Sequence, residues 1–144
     1  MSLPDSIAVV SGIAGMIFGV FGMIFGVYGY MITKANMVKD FFIADDSEEM
    51  RMARKSIYNY SYYSDKYLNE NLYFEKICNH YHFYGLLVKK HYLPKWILEG
   101  ANGSAIVKCY EKSKNYIMLR RRKDIYYAEY FEWLYKWIIK HRRG

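Results

Sequence analysis

No lysine or arginine occurs before position 34, and no charge of either sign lies between Ile7 and Ile32. The missing basic n-region, with no small-x-small site after the apolar run, argues against a cleaved leader and for a retained span. Cysteine is scarce. Cys78 and Cys109 are the only two, neither sits in a CxxC pair, and that excludes a paired-cysteine metal site or a disulfide framework. Each falls on an apolar helical stripe and is expected to be a small buried hydrophobe. Alternating strand patterns of useful length are absent, which leaves an all-α class. HExxH, a phosphate-cradling glycine loop and a serine elbow are absent too. His80 and His82 flank Tyr81, and residues two apart on a helix face different sides, so they cannot readily share a metal ion. His91 and His141 have no evident partners. No catalytic residue, metal or cofactor is expected.

What is present is a 26-residue uncharged run, Ile7 to Ile32, bracketed by Asp5 and Lys34. As a helix it measures about 39 Å, enough to cross a hydrocarbon core of about 30 Å with tilt. Its glycines stand at Gly12, Gly15, Gly19, Gly22, Gly26 and Gly29, a strict heptad in two columns. Glycine is a poor helix former in water, but lipid forces the helical hydrogen bonds regardless. A stripe without side chains lets another helix approach closely. A 3.5-residue period keeps that stripe on a neighbour along a left-handed supercoil. The helix is therefore expected to self-associate, as a tight dimer or as a ring. Phe18 and Phe25 would lie on one flank of the seam and Met16 and Met23 on the other. A ring would enclose an apolar lumen that gates by dewetting. The bland alternative is a plain glycine-rich anchor.

All 21 basic residues follow the span, whereas Asp5 alone of the 14 acidic residues precedes it. Lys34 and Lys39 flank the span on its C-terminal side, which places that side in the cytoplasm. Tyr28 and Tyr30 suit the interfacial aromatic belt. The expected organisation is a tail and membrane helix over 1–33, a stalk over 34–44 that nothing interrupts before Phe42, and a small cytoplasmic helical domain over 45–144. Asp45, Asp46 and Ser47 are cap residues, with Glu49 in capping-box spacing from Asp46. A helix should run from there to about Ser64 with Met50, Ala53, Ile57 and Tyr60 inward. Asp65, Asn69 and Asn71 mark a turn. The next helix, about 71–89, presents Phe74, Ile77, Cys78, Tyr81, Gly85 and Val88. A short helix starts at Pro94 and ends at Gly100. Asn102-Gly103 reads as a turn, Ser104 as the cap of the following helix, and Asp124 as the cap of the last, with Tyr127, Phe131, Leu134 and Ile138 inward.

The basic residues are the candidate binding groups. Arg120, Arg121, Arg122 and Lys123 form one cluster and Arg51, Arg54 and Lys55 another, with Lys89-Lys90 a third; tyrosines interleave, 17 in the chain and most of them in the domain. Cations that hold phosphate beside rings that stack bases suit a nucleotide or a single-stranded nucleic acid. Membrane lipid is a competing partner for the juxtamembrane lysines. A structural ion pair is the competing role for Arg54, and core packing for many tyrosines.

Asn71-x-x-Phe74-Glu75, the arginines 120–122, Phe131-Glu132-x-Leu134 and Met52-Ala53-Arg54 together resemble a helical bacterial domain family of unknown function that often follows one membrane helix. With its glycine-rich span, the chain also resembles the membrane effectors of bacterial antiphage defence, specifically the HalB-type effectors of the Hailong system. That resemblance implies a homo-oligomeric, tetrameric ion channel of the bacterial inner membrane. It also implies a nucleotidyltransferase-like partner protein, and a short single-stranded oligodeoxyadenylate that holds the channel shut. Arg54 would then pair with Glu75 or Glu132 between helices. Two other functions remain open on sequence: a membrane-anchored module that recruits a partner without conducting, and a tethered effector enzyme such as a nuclease.

Overall fold

The computed structural model describes residues 3–60 and 72–141, with side chains from Ser11 onward. Among the described residues every regular element is a helix, with no strand. Five α-helices occur among the described residues: α1 Leu3–Asp45, α2 Glu48–Asn59, α3 Leu72–Lys89, α4 Gly100–Arg121 and α5 Glu129–His141, with a 3₁₀ turn at Lys95–Leu98. The chain divides into two compact units, Met1–Asn36 and Met37–Gly144.

The first unit is α1 alone. It is long and apolar enough to cross a membrane. Its large side chains stand free, with Phe18 76% and Phe25 72% exposed. A methyl added at any of the six glycines of the heptad would meet no atom within 4 Å.

The second unit begins earlier than the sequence pattern indicated. The segment read as a stalk over 34–44 has its second half inside the domain. Phe41 is buried, its ring edge-on to Tyr84 at 4.9 Å, and Met37 and Val38 pack on the same core. Ser47 is the cap of α2, its hydroxyl accepting from the Met50 amide at 3.3 Å. Glu49 does not close a capping box but pairs with Lys76 of α3. α2 ends at Asn59, and the expected continuation to Ser64, the turn at Asp65 and Asn69, and Asn71 lie outside the described residues.

α3 packs most extensively on α5, and α2 and α4 close the core around them. Every inward residue expected of α3 is buried, as are Met50, Ala53 and Ile57 of α2 and Phe131, Leu134 and Ile138 of α5. Cys78 and Cys109 are free and buried. Tyrosine supplies much of the bulk: Tyr81 and Tyr116 are fully buried.

Two expected boundaries move. Asn102-Gly103 is not a turn, and α4 begins at Gly100 rather than at Ser104. Gly100 has φ +62 and makes the bend instead. Gly103 sits inside the helix because the Leu98 carbonyl lies 2.0 Å from where a Cβ would be, so only glycine admits that approach. Asp124 does not cap α5. Its carboxylate accepts from the Tyr126 amide at 3.0 Å and closes the turn before Ala128, where φ is +56 and the chain enters the helix.

Candidate functional site

In the domain, the C-terminal end of α1 is fixed by one carboxylate. Asp45 Oδ1 accepts from Arg54 Nη1 of α2 at 2.9 Å and Tyr81 OH of α3 at 3.0 Å, and faces His80 Nε2 at 3.2 Å. Arg54 Nη2 donates to the Asp45 backbone carbonyl at 2.6 Å, so the guanidinium fork holds both ends of one residue. Burial opposes the Asp45 charge. The His80 hydrogen bond and the Arg54 charge more than offset it and leave the carboxyl below its ordinary range. Burial pushes the Tyr81 phenol well up, so it stays a donor. Arg54 therefore pairs with Asp45, nine residues away, and not with Glu75 or Glu132 as the resemblance implied.

An open hollow of about 880 Å³ adjoins this cluster, lined in part by Phe42, Ile43, Arg54, Tyr58 and Asn102. Tyr58 shares a hydrogen bond with Cys109 Sγ at 3.4 Å, and Lys108 stands over its ring at 4.2 Å. Burial raises the Cys109 thiol to about 11 and the Tyr58 phenol further still, so neither is ionised near neutrality. That makes the thiol a packing group rather than a nucleophile.

The six basic residues proposed from sequence divide into two sets. Arg54 belongs to the Asp45 cluster. Arg121 donates from Nε to the Tyr127 carbonyl at 2.9 Å and pairs with Glu132 at 2.7 Å, joining α4 to α5. Arg120 lies over the Tyr116 and Tyr127 rings at 5.9 and 5.4 Å, with Glu75 at 3.9 Å. These three hold helices together. Arg51, Arg122 and Lys123 are exposed and form no ion pair among the described residues. Arg122 and Lys123 follow the end of α4, close in sequence to Ile125 and Tyr126, which are 74% and 71% exposed. That end offers two cations and one free ring, the parts that grip a phosphate and stack a base.

His82 lies on a smaller depression of about 370 Å³ with Asp124, Tyr126 and Glu129. Burial lowers its pKa, opposed by those two carboxylates. Among the described residues no group of three or more metal-ligating side chains assembles.

The family model described as Domain of unknown function (DUF4760) matches residues 14–137. The chain belongs to that family. The match takes in five of the six heptad glycines together with the helical domain, so apolar helix and domain are one family unit. No curated protein and no solved structure matches the chain.

The Asp45 cluster is hidden in the sequence because His80 and Tyr81 stand 35 and 36 residues from Asp45. Asp45 was legible only as a cap residue. No local signal distinguishes a capping aspartate from one that receives a guanidinium.

Proposed function

We propose that this protein is the subunit of a homo-oligomeric channel in a bacterial inner membrane, an effector of antiphage defence. The carrying observation is the glycine face of α1. Six glycines in heptad register have no neighbour within 4 Å of an added methyl, on a helix apolar enough to span a bilayer. In lipid such a face is satisfied by a second helix. Tetramer stoichiometry follows the resemblance to the HalB-type effectors. The lysines after the span put the domain in the cytoplasm. The domain acts as a sensor rather than an enzyme. A nucleotide or short single-stranded oligodeoxyadenylate, made by a nucleotidyltransferase-like partner, binds at Arg122, Lys123 and Tyr126, with Arg51 a further phosphate contact. Bound ligand favours the closed pore, which requires tighter binding to that state.

Purified protein reconstituted in liposomes tests the reading. Phe18→Ser and Phe25→Ser wet the apolar lumen and should make vesicles leak ions, and cells expressing them should depolarise at wild-type expression levels. Intact vesicles and normal membrane potential with both variants would reject the channel. One observation favours a second reading, a membrane-anchored recruiting module. Arg54, Arg120 and Arg121 are already partnered by Asp45, Glu75 and Glu132, so fewer cations remain for a polyanion. Oligomerisation without conductance would select that reading.

A further inference from the structure

Two cations and a stacking ring are indifferent to base identity, since every base has a face to stack. The depression beside them is not. It lies wholly within the second unit and holds about 370 Å³. Asn79 and His82 of α3 line it, with Asp124 and Tyr126 of the α4–α5 connection and Glu129 and Tyr130 of α5. Pockets for small ligands begin at about 300 Å³.

Its polar groups divide by what the fold already uses. Glu129 faces Lys89 at 4.0 Å, and the same ammonium stands over the Tyr130 ring at 5.0 Å, so that carboxylate and that ring share a cation. His82 packs edge-on to Tyr130 at 5.1 Å and forms a wall, its Nδ1 buried without a hydrogen-bond partner. Asp124 is exposed and forms no ion pair among the described residues. Its Oδ1 accepts from the Tyr126 amide at 3.0 Å, which leaves Oδ2 as a free acceptor. Asn79 is exposed as well, and its amide makes no hydrogen bond among the described residues. A free acceptor and a free donor–acceptor pair therefore stand in one hollow with the exposed Tyr126 ring.

We propose that this depression is the base pocket of the ligand site, in which Asp124 and Asn79 select a base bearing an exocyclic amino group, adenine or cytosine, over thymine. This rests on the nucleotide reading above and adds the base selectivity that cations and a ring cannot supply. The amino group donates to the Asp124 carboxylate. The ring nitrogen beside it on the same edge accepts from the Asn79 amide. Thymine carries a carbonyl oxygen where the amino group would be, which sets oxygen against oxygen and leaves the carboxylate without a donor. Arg122 and Lys123 directly precede Asp124, so the groups for phosphate and the acceptor for the base come from one short stretch, with Tyr126 as the stacking face.

The test is fluorescence anisotropy of the detergent-solubilised full chain with labelled oligodeoxyadenylate, oligodeoxycytidylate and oligothymidylate of one length, so that all three carry the same charge. Wild type should bind the first two about tenfold more tightly than the third, the discrimination expected of one good hydrogen-bonded contact to a base edge. Asp124→Asn keeps an oxygen for the Tyr126 amide, so the turn holds, and it replaces the free acceptor by an N–H donor. That variant should bring oligothymidylate level with oligodeoxyadenylate or ahead of it. Asn79→Ala, at an exposed helix position, should narrow the ratio while circular dichroism and melting stay at wild type. Equal wild-type affinity for all three, or an unchanged ratio in either variant, overturns the base pocket while the nucleotide reading stands. Failure of every oligonucleotide to bind removes that reading and this inference together.

Discussion

Asp45 is the residue on which the domain's charge balance turns. Its side chain and that of Arg54 are 13% and 15% exposed, so the pair is largely desolvated. Asp45→Asn leaves the Arg54 guanidinium without its anion, and removing one partner of a buried pair costs about 3–5 kcal/mol. Chemical denaturation of the full chain in detergent should report that loss, and an unchanged midpoint would mean the cluster is incidental. The pH dependence follows from direction. Asp45 titrates lower in the fold than its ordinary 3.8, so its contribution is complete above that value and lost as acid takes the pH below it. His82 is also lowered, from 6.5, and because the fold prefers its neutral form, stability falls as pH drops below 6.5. His82→Gln should flatten the melting temperature over that upper window and leave the lower one intact. A profile identical to wild type would refute the assignment to His82.

Among the elements, two glycines of the domain, Gly85 and Gly103, set close approaches. A methyl at Gly85 would lie 2.4 Å from the Tyr130 carbonyl oxygen, backbone that cannot rotate away. Gly85→Ala should therefore push α5 off α3 and cost about 1–3 kcal/mol, the usual penalty of overpacking. Differential scanning calorimetry of the detergent-solubilised chain measures it, and an unshifted transition would show that the α3–α5 contact is looser than described. The glycines of the span behave oppositely. They have open space around them in one copy, so Gly19→Leu and Gly22→Leu should leave the domain's melting unchanged and act only on association. Native mass spectrometry in detergent should show a smaller oligomer for both and wild-type mass for Ile17→Leu, which lies off the seam. Glycine variants that retain full oligomer size would reject the seam.

For the molecule as a whole, the proposed function gives ligand sensing to the cations the fold leaves unpaired. Binding of a short oligodeoxyadenylate should weaken as salt rises, because phosphate contacts release counterions. Arg122→Ala with Lys123→Ala should reduce the affinity and flatten its salt slope while the helical circular dichroism stays at wild type. Arg121→Ala should instead lower stability, since it breaks the bond to Tyr127 and the pair with Glu132. Equal affinity for wild type and the double variant, or affinity indifferent to salt, would move the ligand elsewhere on the domain or exclude it.

The class, the apolar run with its glycine register, and the inward stripes of α3 and α5 are legible in the sequence, because each depends on periodicity within one helix. The sequence placed Cys78 and Cys109 in the core for the same reason. It misplaced the start of α4 and the role of Asp124, because Gly100, Gly103 and Ala128 take conformations set by what approaches them. Which arginines the fold uses, and that Phe41 draws the end of α1 into the domain, emerged from packing between distant helices. An exposed and a paired arginine are the same letter in the chain, and their difference arises when helices distant in sequence close around one carboxylate.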